Sequence, residues 1–186
     1  MSAIEEKPEL QQGKKGIAPR WKPARGVEDK ALLILGDVVS TFGRASDADL
    51  EKLYEKGYLL YNAGKYQDAI PFFEMLMSIH PKEPKYLMAV GACHHMMKNL
   101  DIAYQFYLLV SMVDPDTPIP FYHATDCLMK MKQPFLALVQ IEMGLKRSEG
   151  KPEYKMIHDR MAAMGRKLKR ELTRKMEESH QSLKPD

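Results

Sequence analysis

LYEKGYLLYNAGKYQDAIPFFEMLMSIHP, residues 53–81, and LMAVGACHHMMKNLDIAYQFYLLVSMVDP, residues 87–115, decide the fold when one is laid over the other. Gly57 falls on Gly91, Ala69 on Ala103 and Pro81 on Pro115, each pair 34 residues apart. One such pair could arise by chance; three in phase mark a repeat. Within each copy the spacing is helical. Leu53, Gly57 and Leu60 share one face of a first helix, and Ala69, Phe73 and Leu76 one face of a second. The glycine and alanine are small where two backbones approach, and the larger side chains fill the space around them. Asn62, Ala63 and Gly64 make the turn, and Pro81 ends the second helix.

A small residue in a first helix, Ala and an aromatic in a second, and Pro at the exit follow the tetratricopeptide pattern. In the second copy the packing positions are Leu87, Gly91, His94, Ala103, Tyr107, Val110 and Pro115. A third, weaker copy reads Phe121, Thr125, Leu128, Ala137, Ile141 and Gly144, with Thr125 in place of the glycine. Pro134 falls in the first turn of a helix, where its missing N–H costs nothing. The expected fold is all-α: three helical hairpins (about 50–83, 84–117 and 118–151, within a block 46–152) in a short right-handed superhelix.

Working outward, the pattern of residues 28–42 predicts an amphipathic helix with Leu32, Leu35, Val39 and Phe42 on one face, too apolar to stand free. Within a capping segment 28–45 it is expected to cap the first repeat or to pair with a second copy of the chain. Ser46 or Asp47 then caps the first repeat helix, with Asp49 favourable at its positive end. Residues 1–27 carry Pro and Gly without periodicity and read as a flexible basic tail containing Trp21, a solvated arm by default. Residues 153–180 predict a long terminal helix within a C-terminal segment 153–186. Met156, Met161, Met164, Leu168, Leu172 and Met176 form its apolar face, and the helix covers the open end of the stack before projecting away.

Charge is uneven along the chain. Residues 1–49 hold eight basic and eight acidic side chains, 50–152 eleven of each, and 153–186 nine against six. The repeats are therefore neutral, which argues against nucleic acid as their ligand. No apolar run reaches membrane-spanning length, and the polar N-terminus lacks a signal-peptide core, so no membrane insertion is expected. Cys93 and Cys127 occupy one repeat position and read as small core residues. His94, His95 and His123 also fall on repeat positions, so no metal or cofactor is expected, and no motif of catalysis or phosphate binding is present.

The inner surface of such a stack is lined by the first helices. The 34-residue register puts Tyr54, Tyr58 and Tyr61 there from repeat one, Met88, Ala92 and His95 from repeat two, and Tyr122, Asp126 and Met129 from repeat three. Tyrosine offers an apolar face at low entropy cost plus a hydroxyl, and methionine an adaptable wall; together they suit an extended peptide. An adaptor that clamps a charged C-terminal tail is the alternative, with Asp126 set against a carboxylate.

LEKLYEKGYLLYNAGKYQDA (50–69), VGACHHMMKNLDIA (90–103), PFYHATDCLMK (120–130) and KPEYK (151–155) go beyond a generic repeat. In them the chain resembles the class II chaperones of type III secretion systems, the SycD/LcrH/IpgC family. The resemblance implies a bacterial cytoplasmic protein that is not an enzyme. It would bind hydrophobic translocator proteins before export and keep them soluble and apart. It implies an extended client segment of Pro-x-Leu-x-x-Pro character in the concave groove, held by Tyr54, Tyr58, Tyr61 and Tyr66, with Met88, His95 and Tyr122 extending the surface. It also implies a homodimer through the 28–42 helix.

Overall fold

The structure, a computed structural model, describes residues 46–182. The basic tail with Trp21 and the 28–42 helix with Leu32, Leu35, Val39 and Phe42 lie outside the described residues. Within them the chain forms α1 (Asp47–Asn62), α2 (Tyr66–Ile79), α3 (Pro84–Met96), α4 (Leu100–Val113), α5 (Ile119–Lys130), α6 (Pro134–Ser148) and α7 (Lys155–Ser182), with a 3₁₀ turn at Pro152–Tyr154. Each helix packs on the next in sequence, so the described residues make three antiparallel hairpins followed by one long helix.

Local chemistry sets the helix ends. Ser46 is the N-cap of α1: its hydroxyl accepts from the Asp49 backbone N–H while Asp49 accepts from the Ser46 N–H, a reciprocal capping box. The three hairpin turns are built alike. Gly64, Lys98 and Lys132, 34 residues apart, all take left-handed backbone, at φ 75°, 68° and 58°. The next N–H in each case (Lys65, Asn99, Gln133) reaches back 2.9 Å to the carbonyl of Leu60, His94 or Leu128, closing a Schellman motif. Only the first turn uses glycine, so two of the three accept a backbone that a β-carbon disfavours. The second helices of repeats one and two stop ahead of Pro81 and Pro115, whereas α6 runs on to Ser148 and is turned by Gly150 at φ 70°.

The core follows the register. Leu53, Ala69, Phe73 and Leu76, then Leu87, Ala103, Tyr107 and Val110, then Phe121, Leu128, Ala137 and Ile141 are all buried. A β-carbon on Gly57 would stand 2.8 Å from the Phe73 ring, and one on Gly91 would stand 3.0 Å from the Tyr107 ring. In repeat three the tight approach moves to the second helix, where a β-carbon on Gly144 would meet the Met161 side chain of α7 and the Phe121 β-carbon. Thr125, fully buried where the other repeats have glycine, satisfies its hydroxyl by donating to the Phe121 carbonyl at 2.8 Å.

The long helix α7 seals the last repeat with Met161 and Leu168, which join the cluster of Phe121, Leu128, Ala137 and Ile141. Two residues assigned to this face from periodicity are not on it: Met156 is 63% exposed and Met176 58%. Met156 precedes Met161 by five residues, about 140° around the helix. Met176 lies past the reach of α6, which has 15 residues against the 28 of α7. Opposite Gly144 stands Met161 and opposite Ile141 stands Gly165, so antiparallel pairing runs out near Leu172.

Candidate functional site

The first helices of successive hairpins are linked through their side chains, by rings and by polar groups. In α1, Tyr54 stacks on Tyr58 with centroids 6.3 Å apart, and Tyr61 meets Tyr66 of α2 edge-on at 5.3 Å. Tyr54 also touches Tyr86 of α3 at 5.9 Å and the core ring of Phe73 at 5.6 Å. It therefore helps join repeat one to repeat two as well as facing outward, which the register alone did not indicate. The Lys85 ammonium lies 4.9 Å over the Tyr54 ring, held there by Glu51 at 3.0 Å. Burial raises the pKa of the Tyr54 and Tyr61 phenols above their ordinary value, so both remain protonated donors. Tyr58 is the most open of the four tyrosines, at 51% exposure.

A separate group of rings, built on imidazoles, lies between α3 and α5 around Tyr107 of α4. His95 lies edge-on to Tyr107 at 6.0 Å, His123 stacks on Tyr107 at 5.2 Å, and Tyr122 meets His123 at 5.4 Å. Burial lowers the pKa of both imidazoles; for His95 the Lys130 ammonium adds to this and Asp126 opposes it. His95 Nδ1 is 3.3 Å from the Tyr107 hydroxyl and Nε2 is 2.7 Å from Asp126 Oδ2, which also pairs with Lys130. Asp126, read from its register position as a bare negative charge, is thus neutralised by Lys130 and hydrogen-bonded by His95.

Of the residues singled out from sequence, Tyr54, Tyr61, Tyr66, Met88, His95 and Tyr122 are half-buried, and Tyr58 and Met129 are exposed. Met88 also packs on the cluster of Ala103, Tyr107, Ala124 and Cys127, and Tyr122 on that of Phe121 and Leu128. Sequence reasoning did not single out Lys85 or Lys130, and it read Tyr107 as a packing residue and His123 as an ordinary repeat position. Lys85 carried a readable signal, since it stands 34 residues after the oppositely charged Glu51. Burial pushes the Cys93 and Cys127 thiols up to about 11, which fits packing residues. Among the described residues no three His, Cys, Asp or Glu side chains gather as a metal site, and no helix is long and apolar enough to cross a membrane.

This all-α stack is of tetratricopeptide type, and the tetratricopeptide repeat family profile matches its first two hairpins, residues 50–82 and 84–112. The chain is similar, more particularly, to the translocator chaperones of type III secretion. It is 29% identical over 143 residues, 74% of its length and 83% of the relative's, to the low calcium response locus protein H of Yersinia pseudotuberculosis. It superposes with a TM-score of 0.67 and 25% identity on the Yersinia enterocolitica type III secretion translocator chaperone SycD, covering 73% of this chain and 93% of that one. The complex of SycD with a peptide of the translocator YopD gives a TM-score of 0.65 at 28% identity, covering 68% and 96%.

Proposed function

We propose that this chain is a cytoplasmic chaperone of type III secretion that binds hydrophobic translocator proteins and has no catalytic activity of its own. It holds an extended, Pro-x-Leu-x-x-Pro-like client segment against the first helices, which keeps the client soluble and away from other translocators until export. The observation that carries this reading is the pair of ring groups on the first helices, Tyr54, Tyr58 and Tyr61 on one and His123 with Tyr122 on another, in a chain similar to a chaperone described in complex with a translocator peptide. Tyr58, Met129 and the open edges of Tyr54 and Tyr61 supply apolar area and hydroxyl donors for such a segment, with Tyr66 and Met88 at the margins. A disordered client gives up conformational entropy on binding, so a few anchors hold it firmly enough to protect it and weakly enough to release it.

The test is co-expression with the products of neighbouring genes that carry hydrophobic segments, followed by co-purification. Tyr58→Glu together with Tyr61→Glu is expected to abolish capture with helicity unchanged; full capture by that variant rules out this surface.

A further inference from the structure

The two ring groups differ in chemistry, and the difference specifies what the second receives. At repeat one the rings are phenolic, with Tyr58 half exposed. Between α3 and α5 the rings adjoin a compact polar group. His95 has both ring nitrogens engaged, Nδ1 with the Tyr107 hydroxyl and Nε2 with Asp126 Oδ2, so it serves to position its neighbours. Asp126 Oδ2 also takes the Lys130 ammonium, itself 3.1 Å from His95 Nε2. Among the described residues nothing pairs with Asp126 Oδ1, and the Asp126 and Lys130 side chains keep 39% and 42% of their surface in solvent.

We infer that Asp126 and Lys130, held by His95, form a receptor for a main-chain peptide group of the bound segment. Asp126 Oδ1 accepts its N–H, and Lys130 donates to a carbonyl alongside. This rests on the chaperone reading above and deepens it. A carboxylate ligand is disfavoured by Asp126 and a cationic one by Lys130, so the balanced pair suits a neutral dipole that is donor and acceptor at once. An extended peptide presents such a group without cost in side-chain identity, which suits a surface whose selectivity comes from apolar anchors on the phenolic side. The station fixes the register of the segment, and the tyrosines choose its residues.

The experiment is an amide-to-ester scan by calorimetry. The parent probe is an N-acetylated Pro-x-Leu-x-x-Pro peptide with alanine at every x and at both flanks, so no side-chain amide competes. Each backbone N–H is replaced in turn by an ester oxygen. With the wild-type chain, one ester position is expected to weaken binding about tenfold, the scale of a single charge-assisted hydrogen bond. With Asp126→Ala the parent still binds, and that same ester is expected to cost less than about twofold. Ester costs identical in wild type and Asp126→Ala at every position overturn the inference while leaving the chaperone reading standing. If wild type does not bind the parent peptide at all, the chaperone reading in this form fails and takes the inference with it. Unchanged circular dichroism for Asp126→Ala and Lys130→Met separates either result from misfolding.

Discussion

Replacing Gly57 by alanine sets helix propensity directly against packing. In an unobstructed helix interior, Gly→Ala stabilises by about 1 kcal/mol. Here the new methyl would lie 2.8 and 2.9 Å from two carbons of the Phe73 ring and 3.1 Å from the Phe72 β-carbon. Phe73 is 1% exposed and cannot swing away. Overpacking of this kind costs about 1–3 kcal/mol, and two ring atoms closer than 3 Å place this site toward the upper end. The net expectation for Gly57→Ala is a loss of about 1–2 kcal/mol, or roughly 3–8 °C in Tm. Gly91→Ala, whose methyl would meet Tyr107 and Phe106 at 3.0 to 3.3 Å, should cost less. Urea denaturation of Gly57→Ala, Phe73→Leu and the double variant measures the collision itself, because Phe73→Leu removes the obstructing atoms; the coupling should be about 1 kcal/mol in favour of the double variant. Stabilisation by Gly57→Ala with no coupling to Phe73 would refute the argument for close approach.

Arg147 donates from Nε to the Pro115 carbonyl at 2.7 Å and from Nη1 to the Met143 carbonyl at 2.9 Å, with its guanidinium 4.3 Å over the Phe121 ring. Lysine cannot reproduce that fork, so Arg147→Lys should lower stability by about 1–2 kcal/mol in denaturant titration. Cys93 and Cys127, buried and with thiol pKa values near 11, should resist thiol reagents at pH 8 and react fully once urea unfolds the chain; fast labelling of the native protein would contradict their placement. His94, His95 and His123 each bind a proton more weakly folded than unfolded, because of burial. Their contribution to stability is therefore complete above the unfolded value of 6.5 and is lost as pH falls below it toward the folded values, and His123→Phe should flatten that decline.

The 34-residue register made the core legible because packing in a repeat depends on residue type at fixed positions, as Gly57, Phe73, Gly91 and Tyr107 illustrate. It showed the first turn through Asn62, Ala63 and Gly64 but not the backbone of the other two: Lys98 and Lys132 adopt the conformation of Gly64 although nothing in their chemistry asks for it, because helices packed on either side impose the Schellman geometry. Periodicity placed Met156 and Met176 on the buried face of α7, but Met156 stands about 140° around the helix from Met161, and period says nothing of how long the neighbouring helix is, which leaves Met176 bare. Asp126 looked like a free charge because its partners are one turn away at Lys130 and one helix away at His95. Register gives a residue's direction; the pairing that decides its electrostatics is set between helices.

The central claim is that a client lies along the first helices, and site-specific photocrosslinking tests it most directly. A benzophenone amino acid is installed in place of Tyr58, Met129 or, on a second helix, the 77% exposed Met112, and the chain is co-expressed with its client. Crosslinks from the Tyr58 and Met129 positions to one short client segment, with none from the Met112 position, are the predicted result. Crosslinks from the Met112 position alone would place the client on the opposite helices and contradict the account.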